Sequence, residues 1–159
     1  MLGRTMHAIG YDPIHDEIVV PHPFGQGILT FAGSVSGEVK PKRIIEGAHT
    51  RLVALDRLGI DPVHNEYFVP EGESILVFPR EGNGDVAPIR EITGPDTRIG
   101  GSRSVAVDPV RNLLIVLNQP PSTPGEKRRP GPELTIFDRM DAFLRKNLAK
   151  EDRTATQQK

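Results

Sequence analysis

Cysteine is absent from the 159 residues. That excludes disulfides, thiolate zinc sites, iron–sulfur ligation and cysteine nucleophiles. A cysteine-free chain fits a reducing or an oxidising compartment equally. Tryptophan is absent too, and aromatic residues make up only 5%. No run of about 18 apolar residues occurs, so no membrane-spanning helix is expected. Met1 to Gly10 has no apolar stretch behind a basic start, so no signal peptide is read. The compartment stays open: cytoplasmic, or exported if the true N-terminus lies upstream. No Asn-x-Ser/Thr sequon occurs. The formal net charge of -1 excludes a strongly basic nucleic-acid module or an acidic disordered tail. Neither a nucleic acid nor a membrane is expected as a partner.

Turn-forming residues are abundant. Gly (16) and Pro (15) are together roughly a fifth of the chain, against an average of about 12%. Long helices are therefore not expected. The chain also repeats itself. Gly37-Glu38-Val39-Lys40-Pro41-Lys42-Arg43-Ile44-Ile45-Glu46-Gly47 lies over Gly84-Asp85-Val86-Ala87-Pro88-Ile89-Arg90-Glu91-Ile92-Thr93-Gly94. Ile28-Leu29-Thr30-Phe31 lies over Ile75-Leu76-Val77-Phe78 at the same offset. Upstream, Gly10-Tyr11-Asp12-Pro13-Ile14-His15 lies over Gly59-Ile60-Asp61-Pro62-Val63-His64. A third copy starts at Val107-Asp108-Pro109-Val110-Arg111-Asn112 and reaches Leu134-Thr135-Ile136-Phe137 after an insertion.

Each copy of about 47 residues reads as four short strands with turns between. In the second copy these are Asp56 to Ile60, Tyr67 to Val69 ended by Pro70, Ser74 to Phe78, and Ile89 to Ile92. Asn83-Gly84 carries a hairpin signal, whose two central residues need positive φ. The apolar runs are nearly continuous, as expected for sheets covered on both faces. A four-stranded repeat of this size is a β-propeller blade. The expected fold is therefore all-β: three four-stranded antiparallel blades, about 1–52, 53–100 and 101–138, the third incomplete.

The pattern Gly59-Ile60-Asp61-Pro62, Asn65-Glu66-Tyr67-Phe68-Val69, Ser74-Ile75-Leu76-Val77-Phe78 resembles the NHL-type propeller repeat. Gly84-Asp85-Val86-Ala87-Pro88-Ile89-Arg90 is similar to repeats of bacterial propellers of that group. The resemblance spans roughly residues 5–118 and 133–138. It implies a six-bladed ring in full-length members. These include binding scaffolds, signalling ectodomains, and related lactonases and lyases.

The third copy departs from the pattern. Residues 118–132 form a basic, Pro-rich stretch expected to be a solvated loop. After Phe137 no fourth-strand sequence follows. Instead Asp138 reads as a helix N-cap, with Met140, Phe143, Leu144 and Leu148 on one helical face. The segment 139–159 is thus expected to be a helical, then polar, tail. Two readings of it stand open: a cap over the third blade's edge, or a sequence unrelated to the propeller.

Candidate chemistry is sparse. Asp12, Asp61 and Asp108, with Pro13, Pro62 and Pro109, recur at one repeat position. They are expected to close an Asx turn rather than to act on a substrate. His15 and His64 share the next position, with Arg111 in the third copy. Arg43 and Arg90 recur as well, and are expected to pair with a neighbouring blade or face solvent. His7 and His22 are unrepeated, and stand as the weak ligand candidates. No catalytic, metal or cofactor residue is assigned, and no cofactor is expected. Gly25-Gln26-Gly27 lacks the rest of a dinucleotide fingerprint.

Two functional readings follow. The favoured one is a non-enzymatic propeller scaffold for a protein or small ligand. The alternative is a fragment of a metal-dependent six-bladed lactonase or lyase. Three blades fall short of the 4–8 that close a ring. Self-association through the open blade faces, as half of a dimeric ring, is therefore expected to be one route to closure.

Overall fold

The computed structural model describes residues 8–118 and 131–139. Their strands form three antiparallel sheets in chain order. Blade 1 holds β1 (Gly10–Asp12), β2 (Glu17–His22), β3 (Gly27–Ala32) and β4 (Arg43–Ile45). Blade 2 holds β5 (Gly59–Asp61), β6 (Glu66–Glu71), β7 (Ser74–Pro79) and β8 (Arg90–Thr93). Blade 3 holds β9 (Ser104–Asp108), β10 (Leu113–Asn118) and β11 (Glu133–Asp138) among the described residues. Each strand pairs with its successor, so every blade is a meander. The only helical turns described are two short 3₁₀ turns, Ala48–Thr50 and Pro95–Thr97.

The blades stack face to face, with β1 beside β5 and β5 beside β9. Two cores result. Val19, Ile28 and Ile45 of blade 1 pack on Tyr67, Val69, Leu76 and Phe78 of blade 2. The other face of blade 2, with Phe68, Ile75, Val77 and Ile92, packs on Val105, Leu114 and Val116 of blade 3. Successive strand residues point to opposite faces, so a sheet covered on both sides must be apolar throughout. Blade 2 alone meets that condition: β6 and β7 are each buried over five consecutive residues. Strands β2 and β10 alternate buried with half-buried residues. Continuous burial therefore holds for the middle blade and not for the outer two. Burying each large side chain stabilises by roughly 1.5–3 kcal/mol.

Close approach of the first strands depends on glycine. A Cβ on Gly59 would lie 2.9 Å from Val105 Cγ2 and 3.2 Å from Val107 Cγ2. On Gly10 it would lie 2.5 Å from Ile60 Cδ1. Small residues here let adjacent blades converge at their inner edges.

Two local expectations are corrected. Strand β6 does not stop at Pro70, which pairs with Ile75. Arg80 N–H donates to Asn65 O, and alternation along the ladder makes Pro70 a non-hydrogen-bonded position toward β7. Its nitrogen faces the side where β5 has already ended at Gly59 opposite Phe68. Pro21 in β2 repeats this arrangement opposite Ile28. Nor is Asn83-Gly84 a tight hairpin: only Gly84 has positive φ, at 78°. The segment reaches back to blade 1, where Asn83 Oδ1 accepts the Ile44 N–H at 3.0 Å and Gly84 bridges Ile45. It thereby covers the edge of β4, which would otherwise present unpaired backbone. Asp138 ends β11 opposite Leu113 and accepts from Asn112 Nδ2 at 2.8 Å, and the helix it was expected to cap lies outside the described residues. The tail from Met140 onward lies outside the described residues, as does most of the Pro-rich stretch.

Candidate functional site

The recurring Asp–Pro turns have one geometry. Asp12 Oδ1 accepts the N–H groups of Ile14 and His15, both at 3.0 Å. Its Oδ2 lies 2.8 Å from His15 Nδ1. Asp61 does the same with Val63, His64 and the His64 ring, at 3.1, 3.0 and 2.8 Å. Asp108 binds Val110 N–H and Arg111 N–H at 3.1 and 3.0 Å, and Arg111 Nη1 at 2.9 Å. Pro13, Pro62 and Pro109 each follow their Asp in these turns. The carboxylates of Asp12 and Asp61 are fully buried, with both oxygens engaged.

Between blades lies a second repeated device. Glu17, at the start of β2, is 1% exposed. Its Oε1 accepts from Lys42 Nζ at 2.7 Å, and its Oε2 from Arg43 Nη2 at 2.5 Å and Arg80 Nη1 at 2.8 Å. Burial alone would raise its pKa, but these cations outweigh burial and hold it at about 2. Glu66 opens β6 in the same way. It takes both terminal nitrogens of Arg90 at 2.5 and 2.7 Å, and Arg139 Nη1 at 2.6 Å. Burial again opposes the charge, and the two guanidinium groups pull its pKa below the ordinary value. Arg43 and Arg90 thus bind a carboxylate of their own blade, and Arg43 also meets Glu81 of the next blade at 3.6 Å. Arg80 and Arg139 reach the same two carboxylates from the following blade. Arg80 Nε also donates to Asn65 Oδ1, and Arg139 Nε to Asn112 Oδ1, both at 2.8 Å. An ionised carboxylate enclosed by cations is a clamp and cannot exchange protons near neutral pH.

An open groove of about 640 Å³ lies where the β2–β3 turn meets the connector between blades 1 and 2. Gln26, Glu46, Gly47, Arg51, Leu52 and Val53 line it. Gln26 takes positive φ and donates to Val53 O at 3.5 Å. Arg51 is also left-handed, and its guanidinium is bidentate to Glu91 at 3.0 and 2.8 Å. Beside the connector, His49 N–H and Nδ1 both meet Asp85, at 2.7 Å each. The His49 side chain draws the exposed Asp85 carboxyl below its ordinary pKa. The groove offers a cation, an exposed carboxylate, an amide and one exposed aliphatic side chain.

His22 is not a lining residue. It ends β2, half-buried, and a Cβ on Gly25 would meet its ring. His7 lies outside the described residues. Among the described residues no group of three or more His, Asp or Glu side chains is placed to hold a metal. No described helix is long and apolar enough to cross a membrane.

The connector carries a motif that the strand pattern passes over. Gly47-Ala48-His49-Thr50-Arg51-Leu52 repeats as Gly94-Pro95-Asp96-Thr97-Arg98-Ile99. Thr50 Oγ1 donates to Gly47 O at 2.7 Å and accepts from Leu52 N–H at 3.2 Å. Thr97 repeats both bonds with Gly94 O and Ile99 N–H at 2.6 and 3.2 Å. Arg51 and Arg98 both adopt positive φ. The signal was the shared Gly-x-x-Thr-Arg spacing.

No protein-family model matches the chain. No curated protein matches it in sequence. Solved structures do match in shape. The β-propeller domain of Myceliophteria thermophila Cps50 (Swd1) superposes with a TM-score of 0.54 at 13% identity, over 71% of this chain. A chain of a nidogen/laminin complex gives 0.53 at 16% identity, over 72%. This chain covers only 35% and 40% of those two chains. The fold is that of a partial β-propeller.

Proposed function

We propose that this chain is a non-enzymatic β-propeller scaffold built from NHL-type blades, contributing half of a six-bladed ring. Its task is to present loop surfaces to a protein or a small ligand. One observation carries the reading: the ionisable groups that recur along the chain are spent on the repeat. Asp12, Asp61 and Asp108 hold their own turns, and Glu17 and Glu66 are closed in by arginines. A lactonase or lyase site needs carboxylates converging from several inner strands on one metal. The acids of β1, β5 and β9 instead fold back on the turns that follow them. The open groove beside Gln26 and Arg51, about 640 Å³, is a candidate ligand surface at the blade 1–2 junction, within the usual 300–1,000 Å³.

Metal analysis and lactone-hydrolysis assays on the purified chain test this. The scaffold reading expects no stoichiometric calcium or zinc and no turnover. Tightly bound metal at one per ring, together with hydrolysis, would overturn it and restore the enzyme alternative.

A further inference from the structure

Contacts between blades follow one rule. The face a blade turns to its successor carries a glutamate: Glu17 in blade 1 and Glu66 in blade 2. The face it turns to its predecessor receives an arginine: Arg80 in blade 2 and Arg139 in blade 3. At the two ends of the stack both charges are missing. Leu113 stands where the glutamate belongs, opposite Asp108 as Glu17 is opposite Asp12 and Glu66 opposite Asp61. Gly33 stands where the arginine belongs. Its N–H donates to Asp16 O, as Arg80 N–H does to Asn65 O and Arg139 N–H to Asn112 O. A face retaining one charge alone would bury an unpaired ion on closure, a heavy penalty. Losing both makes the two end faces complementary to each other.

Apolar side chains dominate both open faces, with Asp138 beside Leu113 at the rim of the blade 3 face. Blade 3 shows Leu134 at 66% and Ile136 at 62% exposed, beside half-buried Leu113, Ile115 and Leu117. Blade 1 shows Ile9 at 72% and Tyr11 at 57% exposed. The loop of blade 1 is also set for a preceding blade. Gly37 has φ 79°, matching 78° at Gly84, whose loop grips the outer strand of the blade before it.

We propose that the open face of blade 3 docks on the open face of blade 1 in a second copy of this chain. The contact is made twice about a two-fold axis and closes a ring of six blades. The proposal rests on the half-ring scaffold reading above. The seam is the inter-blade interface already seen twice within the chain, with its ion pair replaced by Leu113 over Gly33. The same register sets Tyr11 of the second copy over Ala106, as Ile60 lies over Gly10.

The test is solution mass of the full chain by light scattering and sedimentation. The expected species is a dimer at twice the 17.5 kDa chain mass. Leu113→Glu inserts an unpaired carboxylate and should weaken association about 100-fold. Ile136→Glu, at an exposed position, should do likewise with an unchanged circular dichroism spectrum. Adding Gly33→Arg to Leu113→Glu rebuilds the clamp of the inner seams. A Cβ at Gly33 would collide with Asp16 Oδ1, so the Asp16 side chain must rotate away from Tyr11 to admit the arginine and can then accept its Nε as Asn65 does that of Arg80. The double variant should recover at least about tenfold of the lost affinity and become salt-sensitive, unlike the parent. A monomeric parent, or undiminished association in both glutamate variants, would overturn the proposal. Bound metal with lactone turnover would defeat the scaffold reading and leave these masses unaffected, so the two failures are separable.

Discussion

Glu17 shows how much one residue can hold in a stacked fold. It gathers Lys42 and Arg43 from its own blade and Arg80 from the next, 63 residues away in sequence. Its folded pKa of about 2 lies below that of a free carboxylate. The linked stability is therefore fully present above about pH 4.3 and disappears as pH falls toward the folded value. Glu17→Gln removes this dependence and leaves the Arg43 and Arg80 guanidinium groups with only the more exposed Glu81 as counter-ion. The loss should be about 3–5 kcal/mol at neutral pH. Thermal melts from pH 5 to pH 2 should show the parent's advantage over the variant shrinking as pH falls, on top of the loss both share through Glu66. Parallel curves would contradict the clamp. The sequence displayed the Asp–Pro turns, because identical residues recur at local spacing. It did not display the clamp: Gly33 breaks the arginine pattern in the first copy, and Leu113 breaks the glutamate pattern in the third. A pairing between blades also has no local signature.

At the level of elements, inner-strand spacing is set by what Gly59 lacks. A methyl group there would press on Val105 and Val107 of blade 3 at 2.9 and 3.2 Å. Those are short β-branched side chains with restricted rotamers, so they cannot swing clear. Gly59→Ala should cost about 1–3 kcal/mol through overpacking. Gly10→Ala meets only the flexible end of Ile60 and should cost less, a ranking that urea denaturation of the two variants would check. Asp61→Ala makes a second comparison at this scale. It frees two turn N–H groups and removes the carboxylate 3.4 Å from Arg139. A loss of about 1–3 kcal/mol is expected, read from the same denaturation curves. Strand order was readable from the repeat, since turn residues punctuate it every ten or so positions. The fate of Asn83-Gly84 was not. Its neighbour is the edge of β4 in another blade, and a hairpin signal cannot know about an edge it will cover.

For the whole molecule, burial and not secondary structure ranks the blades. Blade 2 contributes to both apolar cores, whereas each outer blade contributes to one. Periodicity conveyed this only in part: β6 and β7 are apolar on both faces, but so is much of β10, whose outward side is half-buried in the chain alone. That apolar outward side is what a solitary chain cannot satisfy. Local opening follows the number of covered faces, so amide exchange should grade from the middle outward. Amides of β6 and β7 should exchange only through global unfolding. Those of β2 and β10 should exchange sooner in dilute protein. Raising concentration past the association constant covers the outer faces, so β10 and β2 should then slow toward the rate of blade 2 while β6 is unchanged. Hydrogen-exchange mass spectrometry at two concentrations resolves this strand by strand. Protection of β10 and β2 that stays fixed as concentration rises would show that no second copy covers them.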